Sequence, residues 1–163
     1  MIFGMTPFTF FHVLSSLIGI VSGFVAVFGM IAGKRLDGCT ALFLVTTALT
    51  SITGFFFPFH KVTPGIILGI ISLIVLAVAI PARYVKHLEG AWRKVYAVTA
   101  SIALYLNVFV LIAQLFMKVP SLHALAPTGS EPPFLISEVV VMAVFIVLTI
   151  AAAIKFRPEP LHA

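Results

Sequence analysis

Along this chain the polar residues fall into short clusters and the apolar residues into long, nearly unbroken runs. An α-helix rises about 1.5 Å per residue, so roughly 20 apolar residues cross the ~30 Å hydrocarbon core of a bilayer. Five runs approach or reach that length, at residues 8–32, 40–59, 64–82, 95–117 and 134–154. The breaks between them read GKRLDG, HKVTPG, RYVKHLEGAWRK and KVPSLHALAPTGSEPP, each carrying charge, glycine or proline. The pattern predicts an all-α integral membrane protein: one domain, a bundle of five transmembrane helices, with an outer loop at 118–133.

Basic residues orient the bundle. When the five spans alternate, Lys34, Arg35, Arg83, Lys86, Arg93, Lys94, Lys155 and Arg157 share one side, and only Lys61 and Lys118 lie on the other. Cytoplasmic loops carry the excess of Lys and Arg, so this distribution predicts an outside N-terminus and a cytoplasmic C-terminus. Tyr84, Trp92 and Tyr96 gather at the cytoplasmic boundary, where interfacial aromatics belong. The first span has no basic region before it and is followed at once by Lys34 and Arg35, which reads as a retained anchor rather than a cleaved signal peptide.

Composition agrees with this assignment. Of 163 residues, 61% are hydrophobic and 9% charged, against about one-quarter charged in soluble domains. The formal net charge of +5 reports orientation rather than nucleic-acid binding, because its location follows the loops. A single cysteine, Cys39, excludes an internal disulfide and any paired-cysteine metal motif.

Polar residues inside the spans carry the candidate chemistry. Glu138 stands four residues into the last run, and an acid in hydrocarbon costs several kcal/mol unless paired, protonated or hydrated. Counted along the helix axes, His12, His60, Gln114 and Glu138 fall at similar depth near the outer surface, on four different helices. We therefore expect an outer-leaflet pocket lined by these four residues. On the first span His12, Ser15, Ser16, Gly19, Ser22 and Gly23 form a small-residue stripe that lets helices approach closely. On the second, Thr46, Thr50, Thr53, Phe57 and His60 follow the same spacing, with Pro58 positioned to bend the last turn. The third span, with Gly65 and Gly69, reads as a packing element. Asn107 and Gln114, seven residues apart, share a face of the fourth, while Tyr105 lies off that line by roughly 160° at the helical 100° per residue. The competing reading of the Ser, Thr, Asn and Gln residues is structural, as interhelical hydrogen-bond partners worth about 0.6 kcal/mol each. For Glu138 the corresponding alternative is a structural pair with His12 or Gln114.

Three ligands suit the expected pocket. His12 and His60 can supply the two axial nitrogens of a b-type haem, with flat walls drawn from Phe8, Phe11, Phe55, Phe56, Phe57 and Phe59. The same His, Gln and Glu groups can hold the carbonyls of a quinone or pass a proton without iron. Zinc on His12, His60 and Glu138 ranks last, because no local metal-binding motif accompanies them. The outer loop, with Val119, Leu122 and Leu125 among its prolines, is either a lid over the pocket, bringing His123 or Glu131 to its rim, or a rigid connection docked on the bundle.

This loop, KVPSLHALAPTGSEPPF, together with LYLNVFVLIAQLF before it, resembles small uncharacterised bacterial inner-membrane proteins. The resemblance implies a bacterial inner-membrane location and no particular activity. Three classes stay open: a protein binding haem or quinone for electron or proton transfer, an accessory or assembly subunit that meets partner membrane subunits or further copies of itself, and a proton or small-solute transporter. Transport is disfavoured by the almost wholly aliphatic cytoplasmic half of the spans.

Overall fold

The computed structural model describes residues 4–34, 36–57 and 64–156. Its described elements are all helical: α1 (Pro7–Ile31), α2 (Asp37–Gly54), α3 (Pro64–Tyr84), α4 (Trp92–Lys118), α5 (Pro120–Leu125) and α6 (Pro132–Lys155). Among the described residues four stretches are long and apolar enough to cross a membrane: Pro7–Ile31, Gly65–Tyr84, Trp92–Lys118 and Pro132–Lys155. At 18 residues α2 is shorter and carries Asp37 and five threonines, which lower its apolarity.

Local chemistry sets the helix ends. The Thr6 side chain accepts a hydrogen bond from the Thr9 amide at 3.2 Å, and Pro7 follows in the first turn, where its missing N–H costs nothing. The second span was expected to continue to residue 59, but α2 stops at Gly54 and Phe55–Phe57 form a turn. Glycine weakens the helix there, and Pro58 disfavours helical backbone in the residue before it. The loop at 118–133 is not wholly irregular, since α5 begins at Pro120 within it and packs against α4.

α4 is the central helix, touching α1, α3, α5 and α6, while α2 packs on α1 and α3. The small-residue stripe of α1 is its inward face: Ser15, Gly19, Ser22 and Gly23 are buried. A Cβ placed on Gly19 would lie 3.0 Å from the Thr46 hydroxyl oxygen, and one on Gly23 would lie 2.6 Å from Leu104 Cδ1 and 2.8 Å from Phe43 Cδ1. These glycines let α1 sit directly against α2 and α4, as small residues do between membrane helices. At the basic end, Leu36 adopts a left-handed backbone (φ 45°), and its side chain lies over Gly29 to close the α1–α2 turn.

α6 buries a seam of Glu138, Phe145 and Ala152, one residue every two turns, flanked by half-buried Val141 and Leu148, and leaves its far side apolar and exposed. Its outward Leu, Ile, Val and Met side chains suit lipid contact in a span, so exposure there reflects the solvent rather than a docking surface.

Candidate functional site

Seven hydroxyl groups along the spans are satisfied within their own helices. Ser22, Thr46, Thr50, Thr53, Thr99, Ser101 and Ser137 each donate to the carbonyl four residues earlier, at 2.6–2.8 Å. Asn107 is buried and donates from Nδ2 to Thr47 Oγ1 at 3.1 Å, joining α4 to α2. The structural alternative thus describes these residues: backbone groups and a neighbouring side chain take up their hydrogen bonds.

That Asn107–Thr47 bond also fixes how far α4 is advanced along α2. Seven residues further along both helices, Gln114 falls level with Gly54, the last residue of α2. Asn107 is buried beside Thr47, whereas Gln114, level with the end of α2, is exposed. Gln114 therefore lies at the expected depth without being enclosed.

His12 is half-buried, and its Nδ1 lies 2.8 Å from Thr53 Oγ1, with the ring edge-on to Phe57 at 4.9 Å between centroids. Thr53 donates its own proton to the Leu49 carbonyl at 2.6 Å, so its oxygen is the acceptor and His12 Nδ1–H the donor. This assigns the neutral ring to the Nδ1–H tautomer and leaves Nε2 with its lone pair. Lys118, at the end of α4, lies at the same end of the bundle as His12, opposite the Arg83–Asp37 pair.

Glu138 is enclosed by protein, with 7% of its surface exposed, and neither carboxyl oxygen has a hydrogen-bond partner among the described residues. Phe116 meets Phe134 at 5.5 Å and Tyr105 meets Phe145 at 5.6 Å, which sets α4 antiparallel to α6 and places Glu138 near the level of Ile112. It is thus about 3 Å deeper than Gln114 and within about one helical turn of His12. The three residues share a depth but not a direction. His12 turns to α2, Gln114 is uncovered, and Glu138 faces inward. His60, expected as the fourth member, lies outside the described residues.

Two features were not anticipated as parts of sites. Tyr105, placed off the polar line by its angle on α4, packs on Phe145 and Phe109. Its angle turns it toward α6, the helix that carries the acid. At the basic end, Arg83 is buried at the close of α3 and pairs with Asp37 at 2.5 Å, while its guanidinium lies 5.2 Å from the Tyr96 ring centre and 5.9 Å from that of Tyr84. The only hint in the sequence was an acid in the GKRLDG turn facing, by topology, the end of the third span.

Among the described residues no three His, Cys, Asp or Glu side chains come together as a metal-holding group. Compared with known protein families, curated proteins and solved structures, the chain matches none.

Proposed function

We propose that this chain is a five-span protein of a bacterial inner membrane, N-terminus outside and C-terminus cytoplasmic, that binds the head group of a hydrophobic redox ligand of the quinone class at its outer end. Glu138 carries the reading: an enclosed carboxyl whose oxygens have no partner among the described residues. An unpaired carboxylate in such surroundings costs several kcal/mol, so the group is accommodated either protonated or by a partner that arrives from elsewhere. A protonated carboxyl offers one O–H to a ligand carbonyl, and a quinone presents such carbonyls on a flat ring that aromatic side chains accept. Tyr105, Phe116 and Phe134 supply aromatic surface one to two turns either side of Glu138 along the α4–α6 seam. Because Asn107 and the α2 hydroxyls are committed to internal hydrogen bonds, a binding site fits the arrangement better than a continuous solute path.

Five spans are supported by the length of α2 and its course beside α1. Eighteen residues rise about 27 Å, close to the ~30 Å of hydrocarbon, and the contacts of α2 with α1 run from His12–Thr53 near one end to Gly23–Phe43 near the other. A second ligand, b-type haem, is favoured by one observation. His12 donates through Nδ1 and keeps a lone pair on Nε2, the state that a metal-ligating histidine requires, with Thr53 as the orienting partner.

The test is a quinone assay of the solvent extract of protein purified in mild detergent, together with its reduced-minus-oxidised visible spectrum. Near-stoichiometric quinone that is lost in Glu138→Leu is the expected result, whereas haem bands that vanish in His12→Ala would replace quinone with iron. A quinone-free extract and a flat spectrum from folded protein would refute both and leave a subunit that binds partner helices.

A further inference from the structure

We infer that the groove between α2 and α3 seats an acyl chain of an anionic phospholipid whose head group lies at the basic end of the bundle. The groove has a volume of about 340 Å³ and is lined by α2 positions from Ala41 to Ile52 and by Ile80 and Tyr84 of α3. Eleven residues of α2 rise about 16 Å, roughly half the hydrocarbon thickness, which matches a chain from one leaflet. Two ties between α2 and α3 bound it. Phe55 lies against Gly69 at one end, and Arg83 pairs with Asp37 at the other. Between these ties α2 turns Ala41 and Ala48, two small side chains, toward the opening.

Charge identifies the occupant. The walls are aliphatic up to Tyr84, an exposed aromatic with a polar tip of the kind that sits at head-group level. Lys34 is exposed three residues before α2 begins, and Lys86, exposed two residues after Tyr84, holds its ammonium 5.6 Å from the Trp92 ring centre. Asp37, the acid at this mouth, already has its charge opposed by Arg83. The mouth is therefore net positive, and basic pockets between membrane helices select anionic head groups. A second copy of the chain is a poorer occupant, because copies inserted with the same orientation bring two basic rims together. This inference is independent of the ligand proposed at Glu138.

Native mass spectrometry of the intact protein, titrated with phosphatidylglycerol or phosphatidylcholine in mild detergent, tests it. We expect phosphatidylglycerol adducts to dominate more than tenfold. Lys34→Gln and Lys86→Gln should each reduce that preference about fivefold, the factor equivalent to ~1 kcal/mol per basic residue at an anionic surface. Ala48→Phe, which fills the groove, should reduce adducts of both lipids; if that variant fails to fold, the two exposed lysines still decide the matter. Equal retention of the two lipids, retention unchanged in the lysine variants, or a dimer that excludes lipid would overturn the proposal.

Discussion

Gly23 is the position where the tight approach of α1 to its neighbours is most open to quantitative test. Replacing it with alanine puts a methyl carbon 2.6 Å from Leu104 Cδ1, 2.8 Å from Phe43 Cδ1 and 2.9 Å from Phe43 Cε1. Carbon atoms prefer about 3.5–4.0 Å, so the deficit approaches 1 Å against three atoms at once. Leu104 and Phe43 are fully buried and have no solvent to move into. Overpacking of this kind costs about 1–3 kcal/mol, whereas exchanging glycine for alanine in a helix returns up to ~1 kcal/mol of propensity. The net expectation for Gly23→Ala is a loss of up to ~2 kcal/mol. Gly38→Ala is the matched control, since a Cβ there meets nothing within 4 Å and retains only the propensity gain. The difference between the two variants isolates the clash at ~1–3 kcal/mol. Reversible unfolding in mixed micelles by added ionic detergent, followed by far-ultraviolet circular dichroism, measures it. Equal midpoints for the two alanine variants would show that α1 does not pack against Phe43 and Leu104 as described.

Asp37→Asn should destabilise the bundle by an amount between the ~1 kcal/mol of an exposed ion pair and the ~3–5 kcal/mol of a buried one, because Arg83 is 1% exposed at its side chain and Asp37 is 63% exposed. Combining it with Arg83→Met should recover part of the loss in the same unfolding assay; a double variant worse than Asp37→Asn would refute the role assigned to the pair. Glu131, just before α6, is held down to about 2 by the Thr128 hydroxyl at 2.6 Å and then by the amides of Thr128 and Ser130. A depressed carboxyl stabilises the fold above its ordinary value of 4.5 and loses that contribution as pH falls through about 2. The unfolding midpoint should therefore drop between pH 4.5 and 2 more steeply than in Glu131→Gln, and superimposable profiles would contradict the contact.

Much of the architecture was legible because it depends on neighbours in the chain. Apolar runs and Gly or Pro breaks lie within a few residues of one another, so the long helices α1, α3, α4 and α6 follow from local pattern alone. The short helix α5 did not, since six residues hold less than two turns and give no periodicity to detect. The end of α2 at Gly54 was also missed, because an apolar FFFPF run continues past the point where Gly54 and Pro58 stop the helix.

The sequence by itself determined that the chain is apolar and helical, and that His12, Gln114 and Glu138 stand near one level, because level needs only a fixed rise per residue. Which residues meet was decided by tertiary structure alone. Asn107 and Gln114 occupy one face of one helix, yet the first is buried on Thr47 and the second, level with the last residue of α2, is exposed. Arg83 and Asp37 are 46 residues apart, and His12 and Thr53 are 41 apart. Those pairings depend on how each helix is rotated and where its neighbour stops, and rotation is set by side-chain packing between helices rather than by the order of residues within one.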